Sequence, residues 1–204
     1  MTDSTSSKED LIQEQILQAA KRLFAVYGLA KVTMDDVAKA IGKGRSSLYY
    51  YYKSKEGIFD AVMKIEINEM IEVLEKAVGK VSTVEKKIQA FVTAKFILLR
   101  EKGAFFNAIK VGMDADALSD FNKTKLAHHH LIMKMESALF SRILTEGVKL
   151  GEVKAIKKKD MDILIYVLLS SLRGLRNEMI LQDNILEPEP AISRFVWVVM
   201  NGLK

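Results

Sequence analysis

The sequence contains no cysteine, two prolines and 11 glycines among its 204 residues. The absence of cysteine excludes a disulfide framework, thiol catalysis and a zinc-thiolate site. Because proline and glycine are scarce while 49% of the residues are hydrophobic and 28% are charged, the composition favours long helices over strands and turns. It therefore predicts an all-α fold, and separately we expect no cofactor.

Long apolar runs are also absent. The longest uncharged apolar stretch near a helix, residues 163–172, has 10 residues, whereas a transmembrane helix needs about 20. The N-terminal segment is polar and has no apolar signal core behind it. We therefore expect a cytoplasmic protein that does not contact the membrane.

Histidine occurs only as the triplet His128, His129 and His130. In a helix these three side chains spread over about 200°, so one metal ion cannot bind all of them. The sequence also shows no glycine-rich strand-to-helix motif and no nucleophile with a matching base. We therefore expect neither a metal site nor an enzyme.

Apolar periodicity predicts about nine helices. Three helix starts are marked by a hydroxyl followed three residues later by a carboxylate, at Ser7, Thr33 and Ser82. The predicted helices are one that stops at Gly28, then about 33–41, 45–51, 54–78, 83–102, 104–112, 119–150 and 160–182, and a last one that residues 187–190 open.

Residues 33–56 form the most informative segment. Two short helices surround the turn Gly42-Lys43-Gly44, and a run of four tyrosines follows. Between Gly28 and Lys55 there are six basic and two acidic residues, so most of the net charge of +5 lies here. A helix-turn-helix of this kind can place its second helix in the DNA major groove.

Helical geometry divides the side chains of the third helix between two faces. Leu48, Tyr51 and Tyr52 are expected to pack inward, while Ser46, Tyr49 and Tyr50 point outward with Arg45 at the edge. Hydroxyls, phenols and a guanidinium can reach phosphate oxygens and base edges.

Two further residues flank this face. Thr33 is a predicted N-cap at a helix end that can also seat a phosphate. Lys55 opens the fourth helix and either anchors a second phosphate or is an ordinary exposed lysine.

Residues 16–59 resemble the DNA-binding domain of TetR-family (tetracycline-repressor-like) transcriptional regulators, through I-L-Q-A-A-K-R-L-F-A-V-Y-G, T-M-D-D-V-A-K-A-I-G and L-Y-Y-Y-Y-K-S-K-E-G-I-F. The resemblance implies a DNA-binding head and a ligand-binding, dimerising body. By this resemblance Arg45 and Ser46 would read bases. Phosphates would be contacted by Thr33, Tyr49, Tyr50 and Lys55, and Ser47 belongs to the same surface.

The sequence departs from the family pattern at two positions. Lys43 stands where the family mostly has a small apolar residue, and Gly44 where a serine-like cap is usual. We expect Lys43 to add a phosphate contact and the third helix to be less firmly capped. The predicted organisation is a flexible tail over 1–7, a DNA-binding domain over 8–56 with its helix-turn-helix at about 33–52, and a ligand-binding and dimerisation domain over 57–204.

The last two predicted helices are apolar on more than one side. One side can meet the core and the other a second subunit, which predicts a homodimer through these helices. The alternative is that both are core helices of a monomer.

An apolar set with a few polar anchors marks a candidate effector pocket, although such a set also suits a plain core. It suggests an unidentified apolar or amphipathic small molecule. The candidate residues are Phe91, Lys95, Phe106, Met113, His129, Met133, Tyr166 and Arg173.

The sequence therefore predicts a homodimeric repressor that binds a near-palindromic double-stranded operator and is released by its ligand. Two alternatives remain open, a ligand-dependent activator and a helical adaptor protein with no DNA role.

Overall fold

The computed structural model describes residues 3–181 and 188–204, with the backbone only for residues 3–8, 180 and 181. Within these ranges the fold is all-α, as predicted. The eight helices are α1 (Asp3–Tyr27), α2 (Met34–Ala40), α3 (Arg45–Tyr51), α4 (Lys55–Gly79), α5 (Val84–Ile109), α6 (Ala115–Lys149), α7 (Lys158–Leu181) and α8 (Pro188–Leu203).

The prediction of about nine helices is wrong at Gly103, because α5 runs through this residue without a break. A glycine in a helix interior costs only about 1 kcal/mol relative to alanine. Packing on both sides of Gly103 outweighs that cost. Lys102 donates to Glu66 over 2.7 Å, and Phe105 and Phe106 pack against buried apolar residues.

The predicted helix starts are confirmed in one case of three. Thr33 is the N-cap of α2, but α1 begins at Asp3, so Ser7 lies inside the helix. The cap of α5 is Thr83 instead of Ser82, since Thr83 Oγ1 accepts from the Lys86 amide over 3.3 Å. The Val84 amide donates to Glu152 Oε2 over 2.8 Å. Glu152 is remote in sequence, so its effect on this helix start could not be anticipated.

The chain divides into two compact units. Among the described residues, the head unit comprises residues 3–68 and 102–128, and the body unit comprises residues 69–101, 129–181 and 188–204. These units differ from the predicted segments 8–56 and 57–204 because the head unit includes the start of α4, the end of α5 and the start of α6. The functional division into DNA-binding and ligand-binding segments stays a prediction.

The head unit has one apolar core. The rings of Phe24 and Phe59 meet edge to face with centroids 5.8 Å apart. Beside them, Leu29 N donates to Ile109 O over 3.1 Å. Gly28 permits this approach, since its φ is +79° and a Cβ there would lie 2.7 Å from Val111 O. The buried core residues are Ile16, Ala20, Phe24, Leu29, Val32, Met34, Val37, Ala38, Leu48, Ile58, Phe59, Val62, Met63 and Ile109.

Two buried polar groups join the helices of the head unit. Glu66 of α4 pairs with Lys21 of α1 and with Lys102 of α5. Burial raises the pKa of Glu66, but hydrogen bonds from Lys102 and Lys21 outweigh it, and the pKa is lowered. Asp60 Oδ1 lies 2.8 Å from Nε2 of the buried His128.

The body unit has its own core, in which the rings of Phe91 and Phe140 meet edge to face at 4.8 Å. Both α7 and α8 bury one face in this unit. None of the helices in the described ranges is long and apolar enough to cross a membrane. The buried residues of α7 and α8 are Met161, Ile165, Leu168, Leu169, Leu172, Ile192, Val196, Val199, Met200 and Leu203.

Candidate DNA interface and effector site

A short turn, residues 41–44, joins α2 to α3. Ile41 caps α2, and Gly42 follows with a φ of +65°. Gly44 is the N-cap of α3 in an extended conformation and supplies no side-chain hydrogen bond. The start of α3 is therefore less firmly capped than a serine would make it, as the sequence predicted.

The start of α3 and the turn before it present polar side chains to solvent. Lys43, Ser46 and Ser47 are all exposed. The Arg45 side chain is 61% exposed. These four predicted DNA-contacting residues therefore lie together on one open surface, where phosphate or base contacts are sterically free to form.

Arg45 is held in position by two neighbours. Its Nε lies 3.3 Å from Asp35 Oδ1, and its Nη2 donates to the Tyr49 hydroxyl over 3.1 Å. The Tyr49 hydrogen bond, followed by the Asp35 charge, raises the pKa of Arg45. The sequence reading missed Asp35, although an acidic residue in the first turn of α2 beside a basic α3 start could have indicated it.

The tyrosine run divides differently from the prediction at one position. Leu48 is fully buried, and Tyr51 and Tyr52 pack against the head core as predicted. Tyr49 packs there as well, so only Tyr50 is largely exposed, at 69%. The face of α3 that packs on the head core is therefore wider than helical periodicity predicted, and it includes Tyr49.

Tyr50 has a partner that the sequence did not indicate. Its hydroxyl lies 3.4 Å from Glu9 Oε1 of α1, and its ring meets that of Tyr51 edge to face at 5.0 Å. Burial, followed by the charge of Glu9, raises the pKa of Tyr51. The phenol of Tyr50 is thus aligned along the surface of the head unit, where it remains accessible.

Thr33 forms a complete capping box with Asp36. The Thr33 hydroxyl donates to Asp36 Oδ2 over 2.6 Å and accepts from the Asp36 amide over 3.2 Å. The side-chain and backbone hydrogen bonds from Thr33 lower the pKa of Asp36. The carboxylate already neutralises this helix end. The phosphate contact of Thr33 therefore stays a prediction. A DNA phosphate would have to compete with the Asp36 carboxylate for the Thr33 hydroxyl.

Lys55 occupies a structural position. Its ammonium donates to the carbonyls of Leu29, Ala30 and Val32 over 2.8, 3.0 and 3.1 Å. An ammonium has three N–H groups, so all three are used in this conformation. The structure gives Lys55 the role of holding the chain after α1 to the start of α4, while its phosphate contact stays a prediction.

Of the eight candidate pocket residues, five lie on the parts of α5, α6 and α7 that belong to the body unit and are buried or half-buried there. Phe91 and Lys95 lie on α5, His129 and Met133 on α6, and Arg173 on α7. The other three do not join them. Phe106 and Met113 pack against the head core, and Tyr166 is 64% exposed.

The polar residues among these five belong to a larger group of charges. Lys95 forms an ion pair with Glu136 of α6, whose side chain is only 1% exposed. Arg173 Nη2 donates to Met133 Sδ over 2.8 Å. We call Lys95, Arg173 and Arg176 the cationic cluster.

Burial lowers the pKa of Lys95, of Arg176 and of His129, and Arg173 lowers each of them further. The sequence reading missed Glu136 and Arg176. Both share a helical face with a candidate, Glu136 three residues after Met133 and Arg176 three after Arg173. That spacing could have found them.

Two surface grooves lie elsewhere on the body unit. One is lined by Ser141, Arg142, Thr145, Glu146 and Lys149, and the other by Ser137, Ala138, Ser141, Asp162 and Ile165. Neither groove includes a residue of the cationic cluster. In the part of the chain that the structure describes, no three histidine or carboxylate side chains are grouped to hold a metal ion.

Comparison with known proteins finds a family model that matches part of the head unit. Residues 16–62 match the family model described as "Bacterial regulatory proteins, tetR family". This range starts within α1, contains α2, α3 and the turn between them, and ends within α4. All four helices contribute residues to the head core that includes Leu48.

Whole-chain comparisons agree with this match. The HTH-type transcriptional regulator YhgD of Bacillus subtilis is 26% identical over 92% of this chain and 94% of its own. The HTH-type transcriptional repressor KstR2 of Mycolicibacterium smegmatis is 22% identical over 100% of this chain and 96% of its own. A structure of FadR from Bacillus subtilis in complex with stearoyl-CoA has the same fold, with a TM-score of 0.61 and 19% identity over 94% of this chain and 99% of that one.

Proposed function

Since the chain belongs to the tetR family of bacterial regulatory proteins, which are DNA-binding transcriptional regulators and not enzymes, we propose that it is a homodimeric repressor. In this proposal α3 of each subunit enters the major groove of a near-palindromic operator. A small-molecule effector bound by the body unit then weakens operator binding. The helix α4, which contributes residues to both units, is the proposed route of this coupling.

The exposed polar surface of α3 is the observation that carries the DNA-binding part. Lys43, Arg45 and Ser46 lie at a helix start that no acidic side chain caps, and Tyr50 is exposed near the end of the same helix. To contact a guanine edge, the Arg45 guanidinium has to leave Asp35. One charge-assisted contact is then replaced by another. Asp35, whose side chain is 46% exposed, would then lose this ion-pair partner.

Fluorescence anisotropy with an operator selected by the purified protein from random duplexes tests this assignment. We expect Lys43→Gln to weaken binding and to reduce the slope of log affinity against log salt by about 1, because one phosphate contact is lost. Ser46→Ala should change the selected sequence while leaving that slope unchanged. The control Lys149→Gln removes an exposed charge from the body unit. Equal affinity and slope in wild type, Lys43→Gln and Lys149→Gln would refute the assignment.

Repression is supported by KstR2, a repressor that aligns over this whole chain. For the effector, we propose an acyl-CoA-like amphipath. FadR, which shares the fold, was crystallised with stearoyl-CoA, and the body unit here combines apolar side chains with the cationic cluster. Stearoyl-CoA added to the operator complex should release the DNA. Tightening of the complex would instead indicate a co-repressor or an activator and contradict this part.

Dimerisation is proposed through α7 and α8. Each helix buries one face in the body unit and exposes apolar residues on another, namely Ile163, Tyr166 and Val167 on α7, and Trp197 and Val198 on α8. Exposed apolar stripes on adjacent helices in sequence are typical of subunit interfaces. A second copy of the chain would cover them.

A further inference from the structure

We propose that the cationic cluster, formed by Lys95, Arg173 and Arg176, binds an anionic head group of the effector, a carboxylate or a phosphate. The effector would therefore be an amphipath with a negative charge instead of a neutral apolar molecule. This inference rests on the proposed function in assigning the site to an effector, but binding at the cluster can be measured without DNA.

The charges of the cluster do not balance. Lys95, Arg173 and Arg176 bring three positive charges, and Glu136 supplies one negative charge through its ion pair with Lys95. Among the residues that the structure describes, no carboxylate forms a salt bridge with Arg173 or Arg176. Glu136 also acts on Arg176 through its charge, but the four groups together still carry a net charge of +2 at a place that is only partly open to water, which is costly unless an anion joins them.

The guanidinium groups also have donors available. Arg173 donates to the thioether sulfur of Met133, which is a weak acceptor. Arg176 donates to its neighbour Asn177 Oδ1 over 3.0 and 3.3 Å. Each guanidinium has five N–H groups in a planar fork that matches carboxylate and phosphate oxygens. An anion would be a better acceptor than the thioether.

The pKa shifts of these groups are consistent with an anion-binding site, because each positive charge makes its neighbours harder to protonate. Burial lowers the pKa of Lys95, Glu136 opposes that effect, and Arg176 and Arg173 lower the pKa further. The pKa of His129 is lowered by burial and then by Arg173, which favours the neutral imidazole. His129 therefore adds no further positive charge near neutral pH, while it can still donate or accept a hydrogen bond.

Apolar groups lie directly beside the cluster. The Lys95 ammonium is 5.7 Å from the centroid of the Phe91 ring, which itself contacts Phe140. Met133 lies against Arg173. In a ligand with an anionic group and an apolar chain, the anion would pair with the cationic cluster and the chain would contact the apolar side chains. Without ligand, Glu136 provides the counter-charge for Lys95.

Thermal denaturation with inorganic pyrophosphate as the probe tests the charge requirement in the full chain. At ionic strength matched with sodium chloride, pyrophosphate should raise the Tm of the wild type. Arg173→Gln and Arg176→Gln should each lose at least half of this rise. Arg100→Gln, an exposed position on α5, removes the same charge as a control and should keep the full rise. Equal shifts in all four proteins would overturn the proposal.

Direct titration then separates the possible head groups. Wild-type protein is titrated with stearate, stearoyl-CoA and the neutral N-acetylcysteamine thioester of stearate, each below its micellar concentration. At least one anionic ligand should bind tenfold or more tightly than the neutral thioester, and Arg173→Gln should abolish that difference. Tighter stearate would assign the site to a carboxylate, and tighter stearoyl-CoA to phosphates.

Two results would contradict the inference. One is a neutral thioester that binds as tightly as both anions. The other is an Arg173→Gln variant that discriminates as well as Arg100→Gln does. Because these titrations contain no operator, a failure of repression would appear only in the DNA-release assay and would leave this result intact.

Discussion

Single residues of the head unit show where sequence reasoning reaches its limit. Exposure of Ser46 and burial of Leu48 follow from helical periodicity. The partners of the polar groups do not, because Lys55 binds carbonyls 23 to 26 positions away and Tyr50 meets Glu9 at a separation of 41. Such contacts depend on how helices pack, and no local spacing encodes them.

Gly28 is a residue whose type the backbone dictates. Its positive φ costs a non-glycine residue about 1–2 kcal/mol, and a Cβ there would also press on Val111 O at 2.7 Å. We expect Gly28→Ala to lower the free energy of unfolding by at least that amount in urea denaturation. Gly57→Ala, in the first turn of α4, meets only Ser54 Oγ at 3.9 Å and should be neutral or stabilising. Equal stability of the two variants would contradict this account.

Glu66 should make the head unit sensitive to acid. Its folded-state pKa lies below the ordinary value of 4.5, so its contribution is present above about pH 4.5 and is lost as the pH falls through the lower folded value. Glu66→Gln should cost roughly 1–3 kcal/mol at pH 7. The difference from wild type should shrink below pH 4.5.

Chemical denaturation across a pH series measures this effect. Glu72→Gln, which removes an exposed pair with Lys76, should cost at most about 0.5 kcal/mol at any pH. A Glu66→Gln difference that does not change with pH would mean that the carboxylate charge contributes nothing.

Among the helices, those with strong apolar periodicity were predicted to within a few residues. The bounds of α2, α3, α4 and α7 agree closely with the expected ranges. The errors lie at helix ends and at Gly103, where capping and tertiary packing outweigh local preference. A glycine ends a helix when the chain must turn there, whereas α5 continues through Gly103 as one helix.

The start of α5 provides a test at the scale of one helix. Thr83→Ala should lower the free energy of unfolding by about 1 kcal/mol, because its hydroxyl accepts from the Lys86 amide. Ser82→Ala, one residue earlier and exposed, should change it by less than about 0.5 kcal/mol. Thermal denaturation of both variants decides between them. A larger loss for Ser82→Ala would restore the capping box that the sequence suggested.

For the whole molecule, the proposed dimer decides how DNA is read. A monomer presents one α3 to one half-site, whereas a two-fold dimer can contact two half-sites about 34–36 Å apart. The surface that must supply this symmetry includes Val167, which is 51% exposed in the single chain. Since the side chain is not part of the subunit core, a charge at this position should leave the fold of the subunit intact.

We therefore expect wild-type protein to sediment at twice the chain mass of 23.0 kDa and Val167→Glu to dissociate at least tenfold more readily, because a buried charge in an interface core lacks a partner. Leu150→Glu places the same charge on another exposed apolar residue of the body unit and should stay dimeric. Circular dichroism should show equal helix content in all three proteins. If Val167→Glu remains a dimer while it binds the full operator as wild type does, the subunits associate through another surface. If it becomes monomeric, its affinity for the full operator should fall to that for a single half-site. A monomer carries one α3, so the two half-sites are no longer bound by one linked pair of helices.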